Sequence, residues 1–303
     1  MNNLETLEVK RQQLYSNYKT QQNKGILFLV IAAAIALLSF ILLGESVFLG
    51  MIVAFAIAVV GFIFTGKAYT LMQSFRTIVK KDIILTLLKE QFDDVYYDPQ
   101  GMIPISVINE TRMVKRPDRF HGEDYIKGSY NGVNFELSDI DLKERVETRD
   151  SKGNVHVSYQ TYFKGRWYIY QFPRKFPDAL KIIEGRWTGA DTRNMVKIQT
   201  ESIEFNKKFS IYATTQEYGF YHITSSMIEK LLELEKLHRG TILYYYVGDK
   251  LHIGVNDRKD YMELSIKTPL NTESLKAFMS DIELIPAIIN ELRLDSQKFK
   301  NSI

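Results

Sequence analysis

The sequence predicts an α+β protein in which a transmembrane helical hairpin and a helical stalk precede a mostly antiparallel domain. Three observations lead to this prediction: two long apolar runs near the start, an amphipathic helical pattern after them, and turn signals between alternating strands. Strict βαβα alternation, which indicates a parallel sheet, is not present. We divide the 303 residues into an N-terminal helix (1–24), a hairpin (25–66), a stalk (67–92) and an α+β domain (93–303).

The two apolar runs, Gly25–Gly44 and Ser46–Gly66, contain no Asp, Glu, Lys, Arg or His, and only Glu45 separates them. About 20 helical residues cross the ~30 Å hydrocarbon core of a bilayer. Leu, Ile, Val and Phe supply 13 residues of the first run and 12 of the second. Each of these favours insertion by roughly 0.3 to 0.6 kcal/mol. We therefore expect an integral membrane protein with two spans. A cleaved signal peptide would have a shorter apolar core and no second run directly after it.

Basic residues on both flanks predict the orientation of this hairpin. They are Lys10, Arg11, Lys19 and Lys24 before it, and Lys67, Arg76, Lys80 and Lys81 after it. The turn between the spans offers only Glu45. Because segments rich in Lys and Arg stay in the cytoplasm, both termini and the α+β domain are expected on the cytoplasmic side. The membrane is expected to be the cell membrane.

The helices that flank the spans have their own apolar stripes. In the N-terminal helix the stripe is interrupted by Arg11, at a place where another apolar residue would complete a heptad pattern. In the stalk it consists of Leu71, Met72, Phe75, Ile78, Val79, Ile83, Leu87 and Leu88. We expect these two helices to pair as an antiparallel extension of the hairpin.

Small residues four apart lie on one face of the second span, at Gly50, Ala54 and Ala58. Such a stripe lets another helix approach closely. The partner is either the first span of the same chain, which we favour, or a second copy in a homo-oligomer.

Turn and strand signals begin after Asp98. A short helix is expected at 106–113. Asn131-Gly132 and Gly248-Asp249 each lie between two strand patterns and predict hairpins. The apolar phase of the strand Val133–Val146 slips near Ser138-Asp139, which suggests a β-bulge.

The next predicted strand, Val155–Phe172, has two unlike faces. One carries Val155, Val157, Tyr159, Phe163, Trp167 and Ile169, and the other carries His156, Ser158, Gln160, Lys164 and Arg166. We therefore expect a sheet that is covered on one side. The polar loop 188–193 is a candidate subdivision of the domain.

The C-terminal part predicts further strands at 195–199 and 209–212, and an aromatic strand at Gly219–Ile223. A helix follows, in which Ser226 and Glu229 have capping-box spacing and Gly240 marks the end. The segment Thr272–Leu294 is helical but contains Pro286, so it is two helices or one kinked helix.

Several segments resemble a bacterial family of two-span membrane proteins with a C-terminal α+β domain of unknown function. They are Phe163-Lys164-Gly165, Glu201–Phe205, Phe209 to Tyr212, and Thr224 with the helix Met227–Leu234. Ser225 departs from the pattern, since Pro is expected after the Thr that starts the helix. The resemblance implies a bacterial membrane protein with a cytoplasmic domain, and it supplies no catalytic residues.

Two groups of residues are candidate sites. Arg112, Lys115, Arg116 and Arg119 form a basic cluster that is either a solvated surface or a contact for lipid headgroups or a phosphorylated ligand. His121, Glu123 and Asp124 form a candidate polar site in a loop that enters a strand. Asp139 and Asp141 share one strand face and are expected to be solvated.

The remaining histidines do not suggest a metal centre, because none of them has metal-ligand spacing. His156 and His252 are expected on polar strand faces, and His238 in the last turn of a helix. The chain also has no cysteine, so a thiolate metal site and a thiol nucleophile are excluded. We predict no cofactor and no metal.

These observations favour a membrane-anchored cytoplasmic binding or scaffold protein that is not an enzyme. Its expected partners are the lipid bilayer and a protein, and the mild net charge of +3 gives no reason to expect nucleic acid. The alternative is an enzyme that acts at the membrane surface on a lipid or nucleotide. A transporter or channel component is less well supported, because the two spans contain no ionisable residue.

Overall fold

The structure is a computed structural model that describes residues 2–42, 47–75, 80–237, 240–259, 261 and 265–300. Its internal contacts divide the chain into two compact units, Met1–Ile84 with Leu264–Lys276, and Leu85–Glu263 with Ala277–Ile303. Seven residues named above lie outside the described residues: Gly44, Glu45, Ser46, Arg76, Ile78, Val79 and His238.

Two long helices form most of the first unit, as predicted. Helix α1 runs over Asn2–Leu42 and continues without interruption past residue 24, and α2 runs over Val47–Ser74. Helix α3, Lys80–Gln91, begins in this unit and ends in the second. The rings of Phe28 and Phe64 stack with their centroids 5.6 Å apart, so α1 and α2 pack directly on each other.

Glycines let α1 and α2 approach each other closely. A Cβ atom on Gly61 would lie 2.9 Å from Leu29 Cγ, and one on Gly25 would lie 2.6 Å from Thr65 Cγ2. Larger side chains would therefore push the two helices apart. In the stripe predicted from sequence, Ala54 is buried, while Gly50 and Ala58 are half-buried.

The outer surface of this hairpin is apolar. Phe40, Phe48 and Phe55 are exposed, and Phe48 retains 77% of its accessible surface. A core helix of a water-soluble protein would bury such side chains. Both helices are long enough and apolar enough to cross a membrane, which is consistent with membrane anchoring.

Arg11 has a structural role that explains the interrupted stripe. Its side chain is 4% exposed and forms a two-pronged ion pair with Glu8, at 2.7 and 2.8 Å. It also donates to the carbonyl of Ile266 at 2.5 Å, while Glu8 accepts from the amide of Leu270 at 2.8 Å. The pair therefore ties the segment 265–276 to α1.

The second unit is built on a nine-stranded sheet, and all its strand pairs are antiparallel. The strands are β1 Asp93–Asp98, β2 Arg119–Tyr130, β3 Val133–Arg149, β4 Val155–Gln171, β5 Ala179–Glu184, β6 Val196–Ile198, β7 Phe209–Ala213, β8 Thr241–Val247 and β9 Lys250–Asn256. Their order is β1-β2-β3-β4-β9-β8-β5-β7-β6. This confirms the predicted antiparallel α+β class. The sheet continues across 188–193, and the subdivision there stays a prediction.

Helices connect and cover the strands of this sheet. They are α4 Ile105–Glu110, α5 Ile203–Lys208, α6 Gln216–His222, α7 Ser225–Leu237 and α8 Thr272–Glu291, followed by a 3-10 turn at Gln297–Phe299. Helix α8 is one helix with Pro286 inside it. Helix α7 is capped by the Thr224 hydroxyl, which accepts from the amide of Met227, and not by Ser226 as predicted.

Turn chemistry accounts for both predicted hairpins. Asn131 and Gly132 have φ of +50° and +76°, and the turn before β9 has Gly248 at +57°. The predicted bulge is present, but in the neighbouring strand. β2 has one extra residue between Glu123 and Ile126, and there Asp124 has φ of +57°.

The prediction that the sheet is covered on one side was wrong for β4, where residues 165–170 are all buried. Phe163, Trp167 and Ile169 define the tryptophan face, which packs on a core containing Ile108 and Met113. Arg166, Tyr168 and Tyr170 define the tyrosine face, where the Tyr170 hydroxyl donates to the Ile285 carbonyl of α8 at 3.3 Å. Arg166 is therefore buried rather than solvated, whereas Val155 and Val157, predicted on the covered face, are exposed.

The aromatic strand predicted at Gly219–Ile223 is helix α6. The Thr215 hydroxyl caps this helix by accepting from the amide of Tyr218 at 3.3 Å, and Tyr218 and His222 lie one turn apart on its buried face. A Cβ on Gly219 would lie 1.9 Å from Ile198 Cδ1, so α6 packs closely on β6. Aromatic content favoured a strand, but the cap and this packing favour a helix.

Candidate functional site

An open cleft of 690 Å³ lies between the loop after α4 and the loop that joins β5 to β6. We call it the basic cleft. Its charged lining residues are Arg112, Lys115, Arg116, Arg193, Glu110 and Asp191. Three of the four cations predicted as a cluster therefore line one cleft, and Arg193 joins them from the second loop.

The two loops of the basic cleft are tied together through their backbones. The amide of Asp191 donates to the carbonyl of Arg112 at 2.8 Å, and the indole N–H of Trp187 donates to the carbonyl of Met113 at 2.8 Å. Arg112 has φ of +50°, which turns the chain at this point. The positions of the cations therefore depend on contacts between segments that are about 75 residues apart in sequence.

Lys181 supports the cleft from below. Its ammonium group donates to the carbonyls of Arg112 and Asp191, at 3.1 and 2.8 Å. The side chain is 3% exposed and its ammonium lies 4.9 Å from the centre of the Tyr245 ring. Burial lowers the pKa of Lys181 to about 8, and the nearby Arg112 acts in the same direction while Asp191 opposes it.

The cleft has an excess of positive charge. Asp191 is engaged by the guanidinium of Arg193, with contacts of 2.8 and 2.9 Å that hold the pKa of Asp191 well below its usual range. Arg112 lies 3.9 Å from the same carboxylate and is 72% exposed. Lys115 pairs with Glu144 at 3.3 Å, outside the cleft lining. An anion entering the cleft would therefore meet exposed guanidinium groups.

Arg119, the fourth residue of the predicted cluster, does not line the cleft. Arg119 is the first residue of β2, and its guanidinium lies over the ring of Tyr159, 3.6 Å from the centroid. The sequence could not separate it from the others, because the chain leaves the loop and enters the strand between Arg116 and Arg119.

The predicted polar site is only partly assembled. His121 is exposed, and with Glu123 it borders a cavity of 170 Å³ that also contains Asp139, Asp141, Lys164 and Lys259. Asp124 is buried and accepts a hydrogen bond from the Tyr97 hydroxyl. Burial, and after it the neighbouring Asp124, raises the pKa of that tyrosine. Over the part of the chain that the structure describes, no three His, Asp or Glu side chains are grouped so as to hold a metal ion.

Asp139, predicted to be solvated, is a buried partner of Arg166. The Nε of Arg166 donates to Asp139 at 2.6 Å, and the amide of Tyr261 donates to the other carboxylate oxygen at 3.0 Å. The Tyr261 ring covers the guanidinium at 4.2 Å. The slip in the apolar pattern at Ser138-Asp139 could have indicated this ion pair, because it marks the part of β3 that is buried on both faces.

Two histidines are buried in aromatic surroundings. His252, predicted on a polar face, lies on the tryptophan face and accepts from the indole N–H of Trp167 at 3.4 Å. Burial lowers the pKa of His252 to about 4 and that of His222 to about 3. His222 is surrounded by Phe176, Tyr218, Tyr221 and Tyr246, all with ring centroids within 5.2 Å. His156 is exposed as predicted.

Comparison with known proteins places a family match in the second half of the chain. Residues 161–294 match the model of a family described as "Protein of unknown function (DUF3137)". This segment contains most of β4 and all of β5 to β9 and α8, including Lys181 and Arg193, but not Arg112 to Arg116. Curated proteins give no match.

One solved structure is similar in part of its fold. It is the crystal structure of the mycobacterial trehalose monomycolate transport factor A, with a TM-score of 0.36 and 5% sequence identity. The similarity covers 65% of this chain and 88% of that chain.

Proposed function

We propose that this chain is a membrane-anchored binding protein whose α+β domain takes a phosphate group, or a group of the same charge, in the basic cleft. The observation that carries the proposal is the convergence of Arg112, Arg116 and Arg193 on one open cleft of 690 Å³. Guanidinium groups suit phosphate because their planar donors match its oxygens and their charge does not titrate.

The anchor of this protein is the pair α1 and α2. Their exposed phenylalanines and the absence of charge from residues 25–42 and 47–66 support insertion in a bilayer. We further propose that the membrane is that of a bacterial cell, that both termini are cytoplasmic, and that a protein partner joins the assembly. The basic flanks of the hairpin support this orientation.

A phosphate group in the cleft could come from a lipid headgroup or from a soluble molecule, and one experiment separates the two. The full chain is reconstituted in phosphatidylcholine nanodiscs. It is then titrated with pyrophosphate in one arm and with phosphatidylglycerol vesicles in the other. Binding of pyrophosphate alone indicates a soluble ligand, and binding of vesicles alone indicates a headgroup.

The decisive variant removes three cleft charges, as R112Q/R116Q/R193Q. Each basic residue near an anionic surface contributes about 1 kcal/mol, so affinity is expected to fall on the order of 100-fold. The matched control R149Q/K152Q/K197Q removes three exposed charges elsewhere on the domain and should bind within about twofold of the wild type. An equal loss of affinity in both variants would mean that only the net charge of the domain matters. No binding of pyrophosphate or of vesicles would refute the proposal that the cleft binds phosphate.

Orientation is tested with the same chain, because it has no native cysteine. S46C and S151C are labelled separately in intact cells with an impermeant maleimide. Labelling of S46C alone is expected. Labelling of S151C would mean that the domain is outside the cytoplasm, and the search for its ligand would move to the cell envelope.

A further inference from the structure

An apolar cavity of 370 Å³ lies on the tyrosine face of the sheet, between β8 and β9 and the helices α7 and α8. Strand register places it there. Tyr168 is opposite Ile253, and Ile253 is opposite Tyr244, so all three project from the same face. Lys181 is opposite Tyr245 and therefore points to the other face. The cavity and the basic cleft are two separate sites.

Hydrocarbon dominates the wall of this cavity. Its apolar lining residues are Leu234, Ile242, Tyr244, Ile253, Val255, Tyr261, Leu284, Ala287 and Ile288. A group of the size of a water molecule occupies about 30 Å³. The 370 Å³ of the cavity therefore hold a chain of roughly a dozen methylene groups. Its dimensions therefore suit one alkyl chain.

The rim of the cavity carries more negative than positive charge. Among the residues that the structure describes, Glu233, Asp257 and Glu291 line it together with Lys259. Asp257 lies 3.8 Å from the Lys259 ammonium, and Glu291 lies 3.6 Å from that of Lys230 just outside the lining. Glu291 is also the last residue of α8, where the helix dipole is negative. The rim therefore favours a cationic head over a carboxylate or a sulfate.

We propose that this cavity binds an amphiphile with a single alkyl chain of about a dozen carbons and a cationic, amine-type head. The chain enters between the sheet and α8, and the head stays at the carboxylates of the rim. The proposal does not depend on the basic cleft, and either site can fail without the other.

The test uses single-thiol variants of the full chain in phosphatidylcholine nanodiscs. A287C places a thiol in the cavity wall, and N290C places one on the exposed side of the same helix. Reaction with N-ethylmaleimide is timed with and without dodecylamine, whose head is an ammonium group at pH 7. Dodecylamine at about ten times its dissociation constant is expected to slow the reaction of A287C about tenfold and to leave that of N290C unchanged.

Two further arms test the head and the fold. Dodecyl sulfate has the same chain and the opposite charge, so it should protect A287C less than dodecylamine does. Adding E233Q/E291Q to A287C should weaken protection by dodecylamine roughly 2- to 30-fold, while the control E201Q/E217Q should not. Circular dichroism and melting confirm that each variant is folded.

Three results would overturn the proposal. They are equal slowing of A287C and N290C, no protection of A287C in folded protein, and better protection by dodecyl sulfate than by dodecylamine. Either of the first two results would show that the cavity does not bind the amphiphile. The third would show that the site does not prefer a cationic head.

Discussion

Lys181→Met is expected to weaken anion binding in the basic cleft while the domain stays folded. Lys181 does not line the cleft, and its ammonium group donates to the carbonyls of Arg112 and Asp191 beneath it. It is therefore a positioning residue, which holds together the two loops that present the cations.

The size of the effect on stability follows from two opposing contributions. Burial lowers the pKa of Lys181 from 10.5 to about 8, so holding the charge costs about 3 kcal/mol. Two hydrogen bonds from a charged donor contribute about 1.5 to 3 kcal/mol each. Methionine removes both contributions, and the net loss is between zero and about 3 kcal/mol. Binding has no such compensation, because the loop contacts and a nearby positive charge are both lost, and pyrophosphate affinity should fall about tenfold or more.

The assay compares pyrophosphate titration with thermal melting for wild type, K181M and K181R. K181R keeps the charge and the donors and should recover most of the affinity, while K197M serves as an exposed control. Wild-type affinity in K181M would refute the positioning role. Failure of K181R to recover any affinity in a folded variant would show that the loops do not depend on these donors.

Rising pH gives a second readout of Lys181. The pKa is lowered in the folded state, so between about 8 and 10.5 the unfolded chain binds the extra proton. The folded wild type should therefore gain stability over K181M as pH rises through this window. Its affinity for pyrophosphate should fall as pH rises through about 8, where Lys181 of the folded chain loses its charge.

Two further predictions concern paired charges. D139N should lower the melting temperature by about 6–20 °C, because it leaves the Arg166 charge buried without its carboxylate, at a cost of about 3–5 kcal/mol. E8Q should reduce the hydrogen-exchange protection of the Leu270 amide about tenfold or more, since that amide donates to Glu8. The Arg11 guanidinium lowers the pKa of Glu8 from 4.5 to about 2, so this protection is complete above pH 4.5 and is lost as pH falls toward 2.

Matched controls make these predictions specific. D141N removes the neighbouring, more exposed carboxylate and should cost less than about 1 kcal/mol. E5Q lies on the exposed side of the same helix and should leave the Leu270 amide protected. An equal effect of D139N and D141N would mean that the buried pair is not special. An E5Q effect as large as that of E8Q would exclude the hydrogen bond as the cause.

Local sequence patterns were enough to predict the elements whose structure is determined by their own residues. Charge-free apolar runs give helices α1 and α2, and Asn131-Gly132 gives a hairpin turn because both residues accept positive φ. Strand β5 was not predicted, because its apolar residues do not alternate with polar ones. Helix α6 was predicted as a strand, because the evidence for the helix is a cap at Thr215 and contact with a distant strand.

The basic cleft was half predictable for a related reason. Arg112, Lys115 and Arg116 are close in sequence, so composition alone revealed them. Arg193 joins them through pairing of two loops about 80 residues apart, which single-sequence patterns do not report.

The sequence pattern did not reveal one informative feature. It is the presence of polar residues inside strands that are buried on both faces. Such strands lose the alternation that identifies an exposed face, and any polar side chain on them is forced out of water. A residue in that position needs a partner, and two of them show how one is found. Lys181 on β5 binds two loop carbonyls, and Arg166 on β4 binds Asp139. The two residues differ in what they stabilise. Arg166 binds a residue of the neighbouring strand inside the sheet, whereas Lys181 binds the backbone of two surface loops. A buried lysine that donates to loop backbone is therefore the better pointer to a candidate site, and in this chain it leads to the basic cleft.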